Sequence, residues 1–524
     1  MNTRQGIIGL TRGTGFSGRR AIAGIVLSAM TAVFGGCAVG PEFKQPASPD
    51  VAQYTHKPVA GTTLATPGHG GKAQTFTQVQ KIPQQWWALF HSSDLNALID
   101  HAFNDSPTIT AAQAALRESE ENLKAGAGAL YPSVNIGASG AREKVNGASF
   151  GGGAGGLGGV FNLYTASVNV AYDFDVFGGT RRTLEGLQAQ VDFQRYELQA
   201  TYLTLASNVV TAAISEAALR AQIAATQEMI SAEAEQVKLV KQQVALGAAA
   251  YADVLSAQSQ LALTRATLPP LEQRVSQTRH ALATLTGQFP AELKVADFDI
   301  GALTLPQKLP VTLPSELVRQ RPDIRASESA LHAASAQVGV ATAALYPSIS
   351  ISGSYGRAAN EMHNLFDPQG AIWNLGANLL APIFQGGTLR ARKRAAVAAY
   401  EQTAANYRRT VLTAFQQVAD VLRALEHDAQ ALSAQSQAMK ASGESLALSR
   451  EQYKAGASSY LAILLAERQY QQARIGYVEA LGNRYQDTAA LFQALGGGWW
   501  SGAAGTAAAT SASAAAASNP SVHQ

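Results

Sequence analysis

The same ordered set of marks occurs twice along this chain, so its fold must contain one supersecondary unit in two copies. Ala129-Leu130-Tyr131-Pro132-Ser133-Val134 returns as Ala344-Leu345-Tyr346-Pro347-Ser348-Ile349, 215 residues later. Phe177-Gly178-Gly179-Thr180 returns as Gln385-Gly386-Gly387-Thr388 at an offset of 208, and Leu246-Gly247 with Tyr251 and Leu255 returns as Ala455-Gly456 with Tyr460 and Leu464 at 209. The shrinking offset assigns seven extra residues to the first copy, where the run from Gly151 to Gly159 sits. Insertions collect at exposed tips, so that run is expected to be a loop.

Within each copy the hydrophobic period changes at Tyr-Pro. An Ala-rich helical segment (Pro107 to Leu130; Pro322 to Leu345) must stop there, because proline lacks a donor and disfavours helix at the residue before it. Beyond it the period is two. Val134, Ile136 and Ala138 alternate with small polar residues, as do Ile349, Ile351 and Tyr355. On the returning strands Val168, Val170, Tyr172, Phe174 and Val176 oppose Asn169, Ala171, Asp173 and Asp175, while Trp373, Leu375, Ala377 and Leu379 oppose Asn374, Gly376 and Asn378. One such hairpin would suit a soluble sandwich. Two, about ten residues per strand with apolar rows against Asn, Asp and Gly, match the lipid-facing and lumen-facing rows of a transmembrane barrel. Four strands are too few to close a barrel, for which about eight is the small end, so copies of the chain are expected to pool them.

After each Gly-Gly-Thr the chain reads as a very long helix. No proline intervenes from Thr180 to Leu246, which at about 1.5 Å per residue is roughly 100 Å. In the second copy Val397, Tyr400, Ala404, Tyr407, Val411, Phe415, Val418, Leu422, Leu425, Ala429 and Leu432 fall three or four apart, a heptad seam with one stutter. Leu184, Leu187, Val191, Leu198, Tyr202, Leu205 and Val209 form a looser seam in the first. Taken alone, these helices equally suit a coiled-coil rod; attached to barrel strands, they predict a tube continuing away from the membrane. Each turns at a glycine, Gly247 or Gly456, and a second helix returns. In the first copy Pro269-Pro270 must break or kink that return.

The N-terminus reads as an export signal over residues 1–36, with Arg4, Arg12, Arg19 and Arg20 before an apolar run from Ala21 to Phe34. That run is too short for a mature membrane span of about 20 residues. Arg19-Arg20 also admits a twin-arginine signal, although its flanks fit poorly. Cys37 is the only cysteine, which excludes an internal disulfide, and the small residues before it form a lipoprotein cleavage box with Phe34 in the usual leucine place. Acylation of Cys37 by more than one chain gives lasting membrane residence. Residues 37–85 read as an extended Pro-, Gly- and Thr-rich segment and 499–524 as an Ala/Ser-rich disordered tail.

Several functions are disfavoured. Charged residues are 15% and the net charge is +3, which implies no nucleic-acid surface. The nine histidines show no metal-ligand spacing, and Gly68, Gly70, Gly71 and Lys72 lack the rest of a phosphate loop. No catalytic, metal or cofactor site is expected, and the chain does not read as an enzyme.

Taken together, Gly36-Cys37-Ala38-Val39-Gly40-Pro41 with Pro46, Trp86-Trp87 with Phe90, Leu95 and Leu98, the repeated Tyr-Pro-Ser, Pro269-Pro270 and Leu495-Gly496-Gly497-Gly498-Trp499 resemble the outer-membrane efflux proteins, the TolC-like channels, and within them the lipidated branch typified by OprM and NodT. The resemblance covers about residues 30 to 500. It implies an α+β membrane protein, a homotrimer whose four strands per subunit make a twelve-stranded barrel continued by a periplasmic α-helical barrel. The repeats would cover 86–290 (strands near 132–145 and 161–177, helices over 180–286) and 313–498 (strands near 347–357 and 372–384, helices over 388–495), joined by a linker at 291–312.

The partners implied are outer-membrane lipid, a periplasmic adaptor and an inner-membrane transporter of the RND type, together exporting drugs or other small molecules. A type I protein-secretion duct is the alternative on the same fold, and a structural or enzymatic lipoprotein the alternative on another. In the family the helix turns form the gate and the adaptor contact, which map here onto Gly247, Tyr251, Gly456 and Tyr460. Where many members carry aspartates in the second turn this chain has Ala462 and Leu465, while Asp253 is retained in the first. A closed entrance ringed by Leu461 and Leu465, with Asp253 as the nearby carboxylate, is one expectation; packing of these leucines within their helix pair is the other.

Overall fold

Residues 38–78, 82–145 and 159–498 are described by the computed structural model. In chain order the elements are β1 (Thr75–Gln78), α1 (Ser93–Asp105), α2 (Pro107–Ala127), β2 (Ser133–Val145), β3 (Gly159–Phe174), α3 (Gly179–Ala245), α4 (Tyr251–Ala266), α5 (Leu268–Leu285), β4 (Lys308–Val311), α6 (Pro314–Gln320), α7 (Pro322–Ala343), β5 (Ser348–Ala359), β6 (Ala371–Leu380), α8 (Thr388–Lys454) and α9 (Tyr460–Ala494). Cys37, the signal segment, most of the Gly-rich run and the C-terminal tail lie outside the described residues. Contacts divide the chain into two compact units, and each draws on both sequence copies because α2, α3, α7 and α8 contribute to both.

The first unit holds an antiparallel sheet in the order β2-β3-β5-β6. Its register aligns the apolar rows of all four strands. Ile136 pairs with Val168, Val168 with Tyr355 and Tyr355 with Trp373; Phe174 pairs with Ile349 and Ile349 with Leu379. Alternation puts the polar row, Asn135, Asn169, Ser354 and Asn374, on the other face. The apolar row is uncovered: Ile136 is 84% exposed, Trp373 76% and Leu375 73%. Strand β3 ends at Phe174, so Val176 and Asp175 belong to the following turn, contrary to the expected strand. There Asp175 accepts from the backbone N–H groups of Thr180 and Arg181 at 3.0 and 2.9 Å, satisfying donors at the start of α3.

The second unit is mostly helical, and its core gathers Trp86, Phe90, Leu95, Ile99, Ile214, Leu425, Tyr485 and Phe492, all at most 1% exposed. Seam burial in α8 runs from Tyr407 to Leu432, whereas Val397 is 36% exposed; within it Ala414 is buried and the larger Phe415 only half-buried, against Tyr54. From Leu203 to Leu219 helix α3 is buried on every side but a stripe at Thr204, Asn208, Thr211 and Ser215, a wider buried face than a heptad seam, which explains its weak heptad pattern. The return helix of the first copy breaks at Thr267, and α5 restarts with Pro269 and Pro270 in its first turn, where their missing N–H groups are not needed. In the second copy α9 is continuous over the equivalent stretch.

Residues 38–78 and 82–85 are extended but not loose, and the 291–312 linker is not a plain connection. Two unanticipated strands, β1 and β4, pair in parallel between them. Arg484, fully buried, donates to Thr63 Oγ1 at 3.1 Å, the Lys72 carbonyl at 2.8 Å and Gln74 Oε1 at 3.3 Å. Gly68, Gly70 and Gly71 thus shape a turn beside Tyr477, Leu481 and Tyr485. These contacts span some four hundred residues of sequence and leave no local periodic signal.

One half-buried acid is expected to make the stability of this unit depend on pH. Burial and the neighbouring Asp487 carboxyl, only partly opposed by Arg484, push Asp428 up to about 7. Below its ordinary value of 3.8 the group is protonated in folded and unfolded chains alike. Between there and about 7 the folded chain holds a proton that the unfolded chain has released, so stability falls as pH rises from 3.8 to about 7 and levels off above it. Asp428→Asn is expected to raise the melting temperature at pH 8 and to leave it nearly unchanged near pH 4. A thermal melt in detergent at the two pH values checks this; equal shifts at both would contradict it.

Candidate functional site

The two glycine turns are closed by the same hydrogen bonds. In the first, Gly247 N–H donates to the Val244 carbonyl at 3.0 Å and Ala248 N–H to the Gln243 carbonyl at 2.8 Å; in the second, Gly456 donates to Tyr453 at 2.9 Å and Ala457 to Gln452 at 2.8 Å. Both glycines have φ of +72°, a region costly for residues with a Cβ. Duplication has therefore kept the local geometry of both turns.

Their chemistry differs one turn later. Asp253 accepts from Ala250 N–H at 3.2 Å and so serves the start of α4 itself. At the equivalent place α9 has Ala462, its preceding Ser459 makes no side-chain cap, and Ser458 Oγ is buried without a partner among the described residues. The second turn is thus apolar where the first is acidic.

Beneath the turns a second core joins α3, α4, α8 and α9 through Val240, Val254, Ala257, Leu446, Tyr460 and Ile463. Tyr460, 3% exposed, stacks edge-on against Tyr453 at 5.7 Å, and Tyr453 in turn donates to Gln243 at 2.9 Å. Burial raises the Tyr460 hydroxyl above its ordinary value. Tyr460 therefore packs the turn from within and offers no exposed contact, unlike Tyr251, 66% exposed. Leu461 and Leu465, one helical turn apart, are 61% and 51% exposed, so each leaves about half or more of its surface uncovered within the subunit. Deeper in the bundle Glu467 and Glu233 are buried: Glu467 accepts from Arg450 at 2.9 Å, and Glu233 accepts from Thr264 at 3.0 Å and from Gln260, with its ionisation disfavoured by burial.

A second constellation lies at the other end of α3, beside the residues that follow Cys37. Val39 N–H donates to the Phe177 carbonyl at 3.1 Å, Glu42 pairs with Arg182 at 2.7 Å, and Phe43 stacks on His332 at 4.3 Å. Arg182 also pairs with Glu185 at 2.7 Å, and Glu185 with His332 at 2.9 Å. A Cβ on Gly40 would meet Gly339 Cα at 2.5 Å, so the strap lies directly on α7. The motif Gly-Cys-Ala-Val-Gly-Pro is legible in the sequence; the seating of the residues after it, Glu42 on Arg182 and Phe43 on His332, is not, because nothing local marks those partners.

No group of histidine, cysteine and carboxylate side chains suited to a metal occurs among the described residues. The profile of the outer membrane efflux protein family matches residues 98–288 and 313–497, one span in each sequence copy and most of the chain together. The pyoverdine export outer membrane protein OpmQ of Pseudomonas aeruginosa is 32% identical over 79% of this chain and 87% of its own length. The probable efflux pump outer membrane protein TtgC of Pseudomonas putida is 28% identical over 89% and 93%. Among solved structures the outer-membrane channel OprN superposes with a TM-score of 0.79 at 28% identity, covering 88% of this chain and all of OprN.

Proposed function

The chain belongs to the outer membrane efflux protein family, and from that premise we propose that it is the passive outer-membrane conduit of a tripartite efflux system. The family is one of channels and transport proteins rather than enzymes, and this chain is an outer-membrane efflux component. The finer reading rests on the sheet. Its apolar face is continuous across four strands and uncovered, while β2 and β6 each leave one edge unpaired among the described residues. Exposed edges template pairing with other chains, and closure removes them. Three copies supply twelve strands, enough for a barrel whose apolar rows meet lipid and whose Asn, Ser and Gly rows face the lumen.

In this reading Cys37 carries the lipid anchor, the paired long helices form a periplasmic tube, and the two turns meet a periplasmic adaptor and an RND-type transporter in the inner membrane. Drugs or other small molecules are the cargo. A protein-secretion duct draws no comparable support, since OpmQ and TtgC are named for pyoverdine export and efflux.

Heat-modifiable migration and size in detergent test the assembly: the full chain is expected to run as three copies and to shift on boiling. A Cys37→Ser form that is a water-soluble monomer would refute it. Drug accumulation tests the role, with expression in a channel-deficient strain expected to lower the accumulation of pumped dyes.

A further inference from the structure

At one end of the sheet the two copies have diverged in charge. Strand β3 ends at Phe174 opposite Ile349, and β6 ends at Leu380 opposite Ser348, so α3 and α8 begin from the same sheet end. Two arginines open α3, and both are neutralised: Arg181 by Asp175 at 3.2 Å, Arg182 by Glu42 and Glu185, each at 2.7 Å. At the 208-residue offset Asp175 becomes Ile383, Arg182 becomes Arg390 and Glu185 becomes Lys393. Both carboxylates are lost, and Arg392 and Arg394 are added.

None of these four cations makes an ion pair among the described residues; Arg390, Arg392 and Arg394 are exposed and Lys393 half-buried. They sit in the first two turns of α8, where the helix dipole disfavours cations, and Arg390 and Lys393 are like charges three apart where the first copy has an attractive pair. Immediately before them Ile383 and Phe384 are 92% and 87% exposed. An apolar step followed at once by unneutralised cations is the layering of a bilayer's edge, hydrocarbon and then phosphate. The strap after Cys37 docks at this same sheet end, through Val39 on Phe177.

We propose that Arg390, Arg392, Lys393 and Arg394 bind the anionic headgroups of phospholipid in the periplasmic leaflet, with Ile383 and Phe384 seated in its acyl region. This rests on reading the sheet as membrane-spanning and Cys37 as acylated. It adds a headgroup contact at the start of α8 to the anchor whose strap is seated on α3 and α7.

The test uses the full acylated chain in mixed micelles holding phosphatidylglycerol and phosphatidylcholine of equal acyl length, with retained lipid counted by native mass spectrometry. Each surface cation contributes about fivefold in attraction to an anionic lipid surface. The wild type is therefore expected to retain phosphatidylglycerol preferentially, and the combined Arg390→Gln, Arg392→Gln, Lys393→Gln and Arg394→Gln chain to lose that preference by about tenfold or more. Arg392→Gln alone is expected to lose part of it, and Arg392→Lys to keep it. Millimolar inorganic phosphate is expected to leave the retained lipid in place. An unchanged preference in the fourfold variant, its absence in the wild type, or displacement by phosphate would each overturn the proposal. So would failure of the fourfold variant to assemble while Arg392→Gln retains wild-type preference, which would place the cations against a neighbouring copy. A wild-type chain that conducts but shows no lipid preference sinks this inference alone; one that neither inserts nor conducts sinks the channel reading beneath it.

Discussion

Leu461→Ala combined with Leu465→Ala is expected to raise the resting conductance of the reconstituted channel about tenfold or more. The two side chains are 61% and 51% exposed within the subunit, so closing them against copies of themselves would bury apolar surface that now faces water. Regaining about half of a leucine's burial contributes roughly 1 kcal/mol per side chain, and the proposed trimer has six. Losing even about 1.4 kcal/mol of that shifts the open-to-closed ratio tenfold. An apolar ring also gates by dewetting, which alanine weakens by widening the constriction. Single-channel recording of the double variant decides the matter: a closed state as tight as the wild type's removes these leucines from the gate. Because Ala462 replaces the aspartate of the other turn's pattern, Ala462→Asp should add cation preference without the same rise in resting conductance.

The largest loss of stability is expected from Trp86→Ala. Trp86 is fully buried and stacks on Phe492 at 5.2 Å with the rings 8° from parallel, tying the segment before α1 to the last turn of α9. Truncating a buried tryptophan to alanine removes its transfer energy and leaves a cavity, together about 3–5 kcal/mol. Trp86→Phe should cost clearly less, since it keeps an apolar ring and removes an indole N–H that has no partner among the described residues. Apparent melting temperatures in detergent, with surface abundance of the assembled protein, measure both. Equal losses from Ala and Phe would place the energy in the indole itself instead of in the filled volume.

Part of the candidate site is legible in the amino-acid sequence. Gly247 and Gly456 stand out because a helix that must reverse needs a positive φ, and glycine adopts one without strain. Pro269-Pro270 marks a break for an equally local reason. The exposure of Leu461 and the burial of Tyr460 are not legible, although both are apolar or aromatic residues at the same turn. Which side of α9 meets α3, α4 and α8 is settled by packing, and a weakly amphipathic helix does not announce it. The seam of α8 shows the same limit: spacing of three and four picks out Val418, Leu422 and Leu425, all nearly fully buried, yet also Val397, which is 36% exposed.

By itself the sequence determined the duplicated unit, the helix ends at Tyr-Pro and Gly, the broken return in one copy and the two-residue period of the strands. Each of these follows from backbone geometry or periodicity acting over a few residues. Only the tertiary structure decided the cross-strand register that merges four apolar rows into one face, the hold of Arg484 on Thr63 and Gln74, and the docking of Glu42 and Phe43 on Arg182 and His332. Those contacts join residues far apart along the chain, between side chains that carry no pattern until folding places them within hydrogen-bonding or stacking distance.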